Sequence, residues 1–129
     1  MTLTVNNQSY TLPLKPGETL AMLLRQRLHL TGTKIGCDEA ECGSCTVLVN
    51  DEPVLSCMYP AARADGKTIV TSEGLAAYVH NIKKLHPIQE AFVEHGAVQC
   101  GFCIPSQIMT ALALLKQNPI QPGMRYLMP

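Results

Sequence analysis

The chain has 129 residues, room for one ordinary domain or two small ones. Ten Lys and Arg balance ten Asp and Glu, so there is no net basic field to hold nucleic acid or an anionic membrane. Hydrophobic residues make up 47%, enough for a packed core, yet no apolar run approaches the roughly 20 residues that span a bilayer.

Met1 to Gln8 lacks a basic region followed by an apolar one, so it does not read as a secretory signal, and the compartment implied is the cytoplasm. There, six cysteines point to metal ligation or redox chemistry rather than structural disulfides.

Leu3 and Val5 alternate with Thr2 and Thr4. Asn6-Asn7-Gln8 is a turn signal, and Tyr10, Leu12 and Leu14 alternate again. The pattern predicts a β-hairpin with one buried face, ended by Pro16-Gly17. Thr19 reads as the N-cap of a helix whose Leu20, Leu23, Leu24 and Leu28 form one buried stripe. Gly32 and Gly36 then open a loop. Thr46–Val49 is β-rich, Asn50-Asp51 a turn, Val54-Leu55 a returning strand, and Lys67–Val70 one more short strand.

The second half reads as helical. Pro87 suits a first helical turn, Ile88, Ala91 and Phe92 share a face, and Gly96 can stop the helix. Pro105 opens another, with Ile108, Ala111, Leu112 and Leu115 on one side and Asn118-Pro119 at its end. The boundary falls between Val70 and Asn81, dividing the chain into 1–75 and 76–129. His29, His80 and His86 read as surface or capping residues.

Cys37, Cys42 and Cys45 form C-x4-C-x2-C, and Cys57 follows eleven residues later. That is the plant-type ferredoxin spacing for a [2Fe–2S] cluster. Two sulfide-bridged irons need four thiolates. One tight loop can supply three, and the fourth must come from another element. Gly36 and Gly43 suit such a loop, because glycine accepts positive φ and lets the main chain approach sulfur closely. Inward N–H groups then stabilise the added electron. Ser44 can add a hydroxyl contact. Asp38, Glu39 and Glu41 read as solvated loop charges. Zinc and structural thiols are the competing readings, although Cys37 and Cys57 do not form a second compact pair beside Cys42 and Cys45.

Ile35-Gly36-Cys37 through Cys45-Thr46-Val47, Cys57, Leu85-His86-Pro87-Ile88-Gln89 and Gly96 to Cys103 together resemble the small iron–sulfur subunit of the molybdenum hydroxylases. That family includes xanthine dehydrogenases, aldehyde oxidoreductases and carbon monoxide dehydrogenases. The resemblance covers roughly Thr2 to Asn118. It implies an α+β architecture, a β-grasp ferredoxin-like domain followed by a small helical domain with a second [2Fe–2S] cluster. It implies an iron–sulfur subunit of an oxidoreductase that does no substrate chemistry itself. Electrons would leave a molybdopterin on a large partner subunit and pass through both clusters to a flavin (FAD) subunit or another acceptor. Gln99 would lie against the pterin, and Cys100 and Cys103 would ligate the second cluster.

The chain departs from the family at one place. The second cluster takes C-x2-C and a later C-x-C, and no cysteine follows Cys103 as far as Pro129. Arg125-Tyr126-Leu127 stand where the next helix would begin. The reading is a C-terminally truncated helical domain, with a partner-supplied half or a lost second cluster as alternatives. Rieske centres combine two His with two Cys, and His95 is the nearest histidine to the pair. Ile88, Phe92, Ile108, Leu112 and Leu115 would then lack part of their cover, each side chain being worth about 1.5–3 kcal/mol when buried. Two other functions stay open: a stand-alone one-cluster ferredoxin-like carrier, and a non-redox interaction subunit with structural or zinc-bound cysteines.

Overall fold

The computed structural model describes residues 1–79 and 82–118. Strands β1 (Thr2–Val5) and β2 (Gln8–Thr11) form an antiparallel hairpin, with Leu3 opposite Tyr10. Asn6 and Asn7 turn it at φ +50° and +67°, the left-handed backbone that asparagine tolerates better than most residues. Strands β3 (Thr46–Val49) and β4 (Glu52–Leu55) repeat the device, with Asn50 and Asp51 at φ +49° and +66°. Strand β5 (Thr68–Val70) lies between the hairpins, parallel to β1 and antiparallel to β3, so the sheet order is β2-β1-β5-β3-β4.

Thr19 caps helix α1 (Leu20–Met22), its Oγ1 accepting the Met22 N–H. The helix widens at once into a π turn, Leu23–Arg27, closed by the Leu28 N–H donating five residues back to the Leu23 carbonyl. Leu20, Leu23 and Leu24 pack with Leu3, Val5, Val47, Val49 and Ile69 against one face of the sheet. Arg27, paired with the largely buried Glu18 at 2.9 Å, ties the turn to the preceding segment. A sheet grasping one helix makes this the expected α+β, β-grasp ferredoxin-like arrangement.

The other sheet face carries the second half. Helices α2 (Pro87–Glu94) and α3 (Ile104–Gln117) place Ile88, Ile108, Met109, Leu112 and Ala113 around Leu48. Strand alternation explains why β3 serves both layers. Val47 and Val49 face the helix side, and Leu48 points the opposite way. The sequence leaves this second apolar set short of cover, and the ferredoxin sheet supplies part of it. Two assignments need correction. Leu115 is 41% exposed, while the buried stripe of α3 also takes in Ser106, Met109 and Ala113, and Ala91 on α2 is exposed.

His86 caps α2 as expected, its Nδ1 accepting the Ile88 N–H at 3.2 Å while Gln89 reaches back to the His86 N–H. Gly96, at φ +61°, follows the helix end. The second half is not purely helical. Strands β6 (Ala77–Val79) and β7 (Ile82–Lys84) pair antiparallel, and Ile82, Lys83 and Lys84 are all exposed, so no buried face marks them in the sequence. The expectations for His80, Asn81, Pro119 and Arg125-Tyr126-Leu127 lie outside the described residues. Among the described residues no helix is long and apolar enough to cross a membrane.

The two-faced use of β3 yields a contrast. Leu48→Ala should cost about 2–5 kcal/mol in denaturant unfolding, the usual loss for a fully buried leucine. Leu115→Ala should stay within about 0.5 kcal/mol, as exposed positions do.

Candidate metal centre

The loop from Ile35 to Cys45 joins the π turn to β3 and is held from several sides. The Arg25 guanidinium donates to the carbonyls of Thr31 and Thr33 at 3.1 and 2.7 Å. The Gly32 N–H donates to Glu73 at 2.9 Å, and the Lys34 N–H donates to the Ser44 carbonyl at 3.2 Å. With its ends fixed, the loop coils on itself.

Cys37 Sγ lies at the centre of the coil. The backbone N–H groups of Glu39, Glu41 and Cys42 donate to it at 3.4, 3.3 and 3.3 Å. In return the Cys37 N–H donates to Cys42 Sγ at 3.4 Å, and Ser44 Oγ stands 3.1 Å from the same sulfur. The coil requires Asp38 and Ala40 at φ +58° and +61°. The two glycines serve different needs. Gly43 has φ +76°, whereas a Cβ on Gly36 would stand 2.9 Å from both Cys42 Sγ and Ser44 Oγ.

The four cysteines divide into two environments. Cys42 is exposed and Cys37 partly so. Cys45 and Cys57 are buried with Ala21, under Ile35, Ala40 and Leu55. Cys57 arrives from the end of β4, bound in place where the Ser56 N–H and Oγ–H both donate to the Cys45 carbonyl. The Ser44 hydroxyl and N–H, followed by the Cys37 contacts, lower the Cys42 thiol to about 6. Burial pushes Cys57 up to about 11. Among the described residues no three His, Cys, Asp or Glu side chains converge on a single metal ion. Four sulfurs around one loop, backed by inward N–H groups and a glycine that only a missing Cβ allows so close, fit a [2Fe–2S] centre.

The second pair lies close by. Cys103 precedes α3, and the Gln107 amide donates to its Sγ at 2.9 Å. Cys42, Gly43, Phe92 and Cys103 line one cavity of about 390 Å³, so the fold brings the two cysteine groups to a shared space. Exposed Cys100 and Gln99 line a neighbouring cavity of about 420 Å³ with Cys103 and Gly101. Residues 1–129 therefore bring two of the four thiolates that a second centre needs. A larger cavity of about 470 Å³, lined by Leu14, Pro16, Met58 and Pro60, contains no cysteine. Sequence reasoning missed Arg25, Ser106 and Gln107. The signal for Ser106 is a polar residue three positions before the buried Met109.

Residues 3–75 match the family described as a 2Fe-2S iron-sulfur cluster binding domain, and residues 71–126 match a [2Fe-2S] binding domain. The nicotinate dehydrogenase small FeS subunit of Eubacterium barkeri is 44% identical over 91% of this chain and 72% of its own length. The iron-sulfur-binding subunit of an aldehyde oxidoreductase from Escherichia coli is 43% identical over 95% of this chain, which spans about half (51%) of that subunit. A solved quinoline 2-oxidoreductase from Pseudomonas putida 86 superposes with a TM-score of 0.86 at 40% identity, over 94% of this chain and 72% of the matched one.

Two outcomes test the loop geometry. Gly36→Ala should displace Cys42 and Ser44, seen as loss of bound iron without loss of the folded sheet. In the cluster-free chain, the Cys42 thiol depressed to about 6 makes thiolate dominant above that pH. Alkylation of Cys42 should therefore rise through about pH 6 and level off, while Cys57, raised to about 11, stays protected at neutral pH.

Proposed function

The chain belongs to the small iron–sulfur subunits of the molybdenum hydroxylases, and from that premise we propose that it relays electrons between a molybdopterin on a large partner subunit and a flavin (FAD) on another. The four ligands of its first [2Fe–2S] centre are Cys37, Cys42, Cys45 and Cys57, carried by residues 1–75. Residues 76–129 make up the second unit, whose described residues hold the β6–β7 hairpin and helices α2 and α3. There Cys100 and Cys103 supply two thiolates toward a second [2Fe–2S] centre. Gln99, exposed beside Cys100, contacts the pterin. The cytoplasm is the working compartment, in keeping with six unpaired cysteines.

The observation that supports this most is the coil of three N–H groups around Cys37 Sγ. A [2Fe–2S] centre held by Cys37, Cys42, Cys45 and Cys57 would supply a one-electron store. This chain's part is to hold that store and adjust its affinity for the electron. N–H groups directed at sulfur stabilise the extra negative charge, and the Ser44 hydroxyl adds to them at Cys42. Buried Cys45 and Cys57 keep water from the inner side. Exposed Cys42 and partly exposed Cys37 leave the outer side accessible to a partner.

Iron and acid-labile sulfide analysis of the 129-residue chain should give about two of each, the content of one [2Fe–2S] centre. Cys42→Ser should abolish the plant-type reduced-state electron paramagnetic resonance signal. An unchanged spectrum would overturn the ligand assignment, and zinc without iron would overturn the redox reading.

A further inference from the structure

Ser106 is 2% exposed on the buried stripe of α3, among Met109, Leu112 and Ala113. A hydroxyl belongs there only if it has a partner. Its Oγ–H donates to the backbone carbonyl of Ser44, 62 residues earlier in the chain. The Lys34 N–H donates to the same carbonyl at 3.2 Å. Ser44 is thereby clamped from both sides, is itself 4% exposed, and sets its Oγ 3.1 Å from Cys42 Sγ. Against an iron-bound thiolate the only proton in that contact is the serine's, so Ser44 donates. Ser106 also lies one helical turn beyond Cys103, whose sulfur Gln107 contacts. The start of α3 thus brings a cysteine of the second pair and the hydroxyl that holds the loop of the first within one turn of each other.

We propose that Ser106 is a positioning residue for the first centre. By anchoring the Ser44 carbonyl it aims the Ser44 hydroxyl at the Cys42 sulfur, and so raises the centre's affinity for an electron. This rests on the ligand reading above. A hydrogen bond donated to a ligand sulfur favours the more negative, reduced state and raises the reduction potential. Removing the Ser44 hydroxyl therefore lowers the potential. Removing the Ser106 hydroxyl releases one side of the clamp and lowers it in the same direction by less. A hydroxyl that merely satisfied a buried carbonyl would change stability and leave the potential alone.

The test is a redox titration of the plant-type signal in the full chain, in Ser44→Ala, in Ser106→Ala and in the double variant, with iron content and unfolding midpoints measured alongside. Potentials should fall in both single variants, more for Ser44→Ala, and Ser106→Ala should add no further shift once Ser44 is alanine. Ser106→Gly removes the same hydroxyl but differs from alanine in helix propensity, so it should reproduce the potential shift at a different stability. Ser106→Thr should restore the original potential. An unchanged potential in the iron-loaded Ser106 variants, or a full additional shift on top of Ser44→Ala, would overturn the proposal. Absence of iron or of the signal from the unaltered chain would instead overturn the ligand assignment.

Discussion

Cys37 Sγ accepts three backbone N–H groups from the five residues that follow it, and the rest of the site depends on that coil. A chain segment can turn so many amides inward only by entering the left-handed region. Ala40 does so without the freedom of glycine, at a cost of about 1–2 kcal/mol. The N–H···S contacts and the fixed loop ends offset that cost. Arg25 grips two carbonyls before the loop, Glu73 takes the Gly32 N–H, and the Ser44 carbonyl takes the Lys34 N–H. Beside the coil, the Ser44 hydroxyl and N–H, followed by the Cys37 contacts, lower the Cys42 thiol to about 6.

The sheet positions this loop by being apolar on both faces. Val47 and Val49 pack with the π turn, and Leu48, pointing the other way, receives α2 and α3. The strand that begins just after Cys45 is therefore buried throughout. Helix α3 is in turn fixed against the start of that strand, and its Ser106 reaches the Ser44 carbonyl. Packing of the second half is the reason that the two cysteine groups line one cavity.

Much of the first half was legible because its signals are local. Asn6-Asn7 and Asn50-Asp51 each mark a two-residue hairpin turn that needs positive φ, and the alternation on either side sets which face is buried. The cysteine spacing was legible for the same reason: one loop must deliver three sulfurs to one place. The β6–β7 hairpin was illegible, since its return strand is exposed and carries no alternation. The buried face of α3 was read correctly at Ile108, Ala111 and Leu112 and missed at Leu115, which is exposed, and at Ser106, Met109 and Ala113, which widen the stripe only once the sheet is packed against it.

The sequence by itself determined the close spacing of the loop cysteines, the glycines beside them, the two turn-driven hairpins and the capped starts of α1 and α2. Each of these follows from backbone restrictions and spacing within about ten residues. Only the tertiary structure decided that Gly36 is required by the nearness of Cys42 and Ser44 rather than by its φ, that Leu48 covers the second half, and that Ser106 belongs to the first cysteine loop. Those relations join residues far apart in the chain. No local pattern encodes them, because they arise where two faces meet and the space between them must be filled and its polar groups paired.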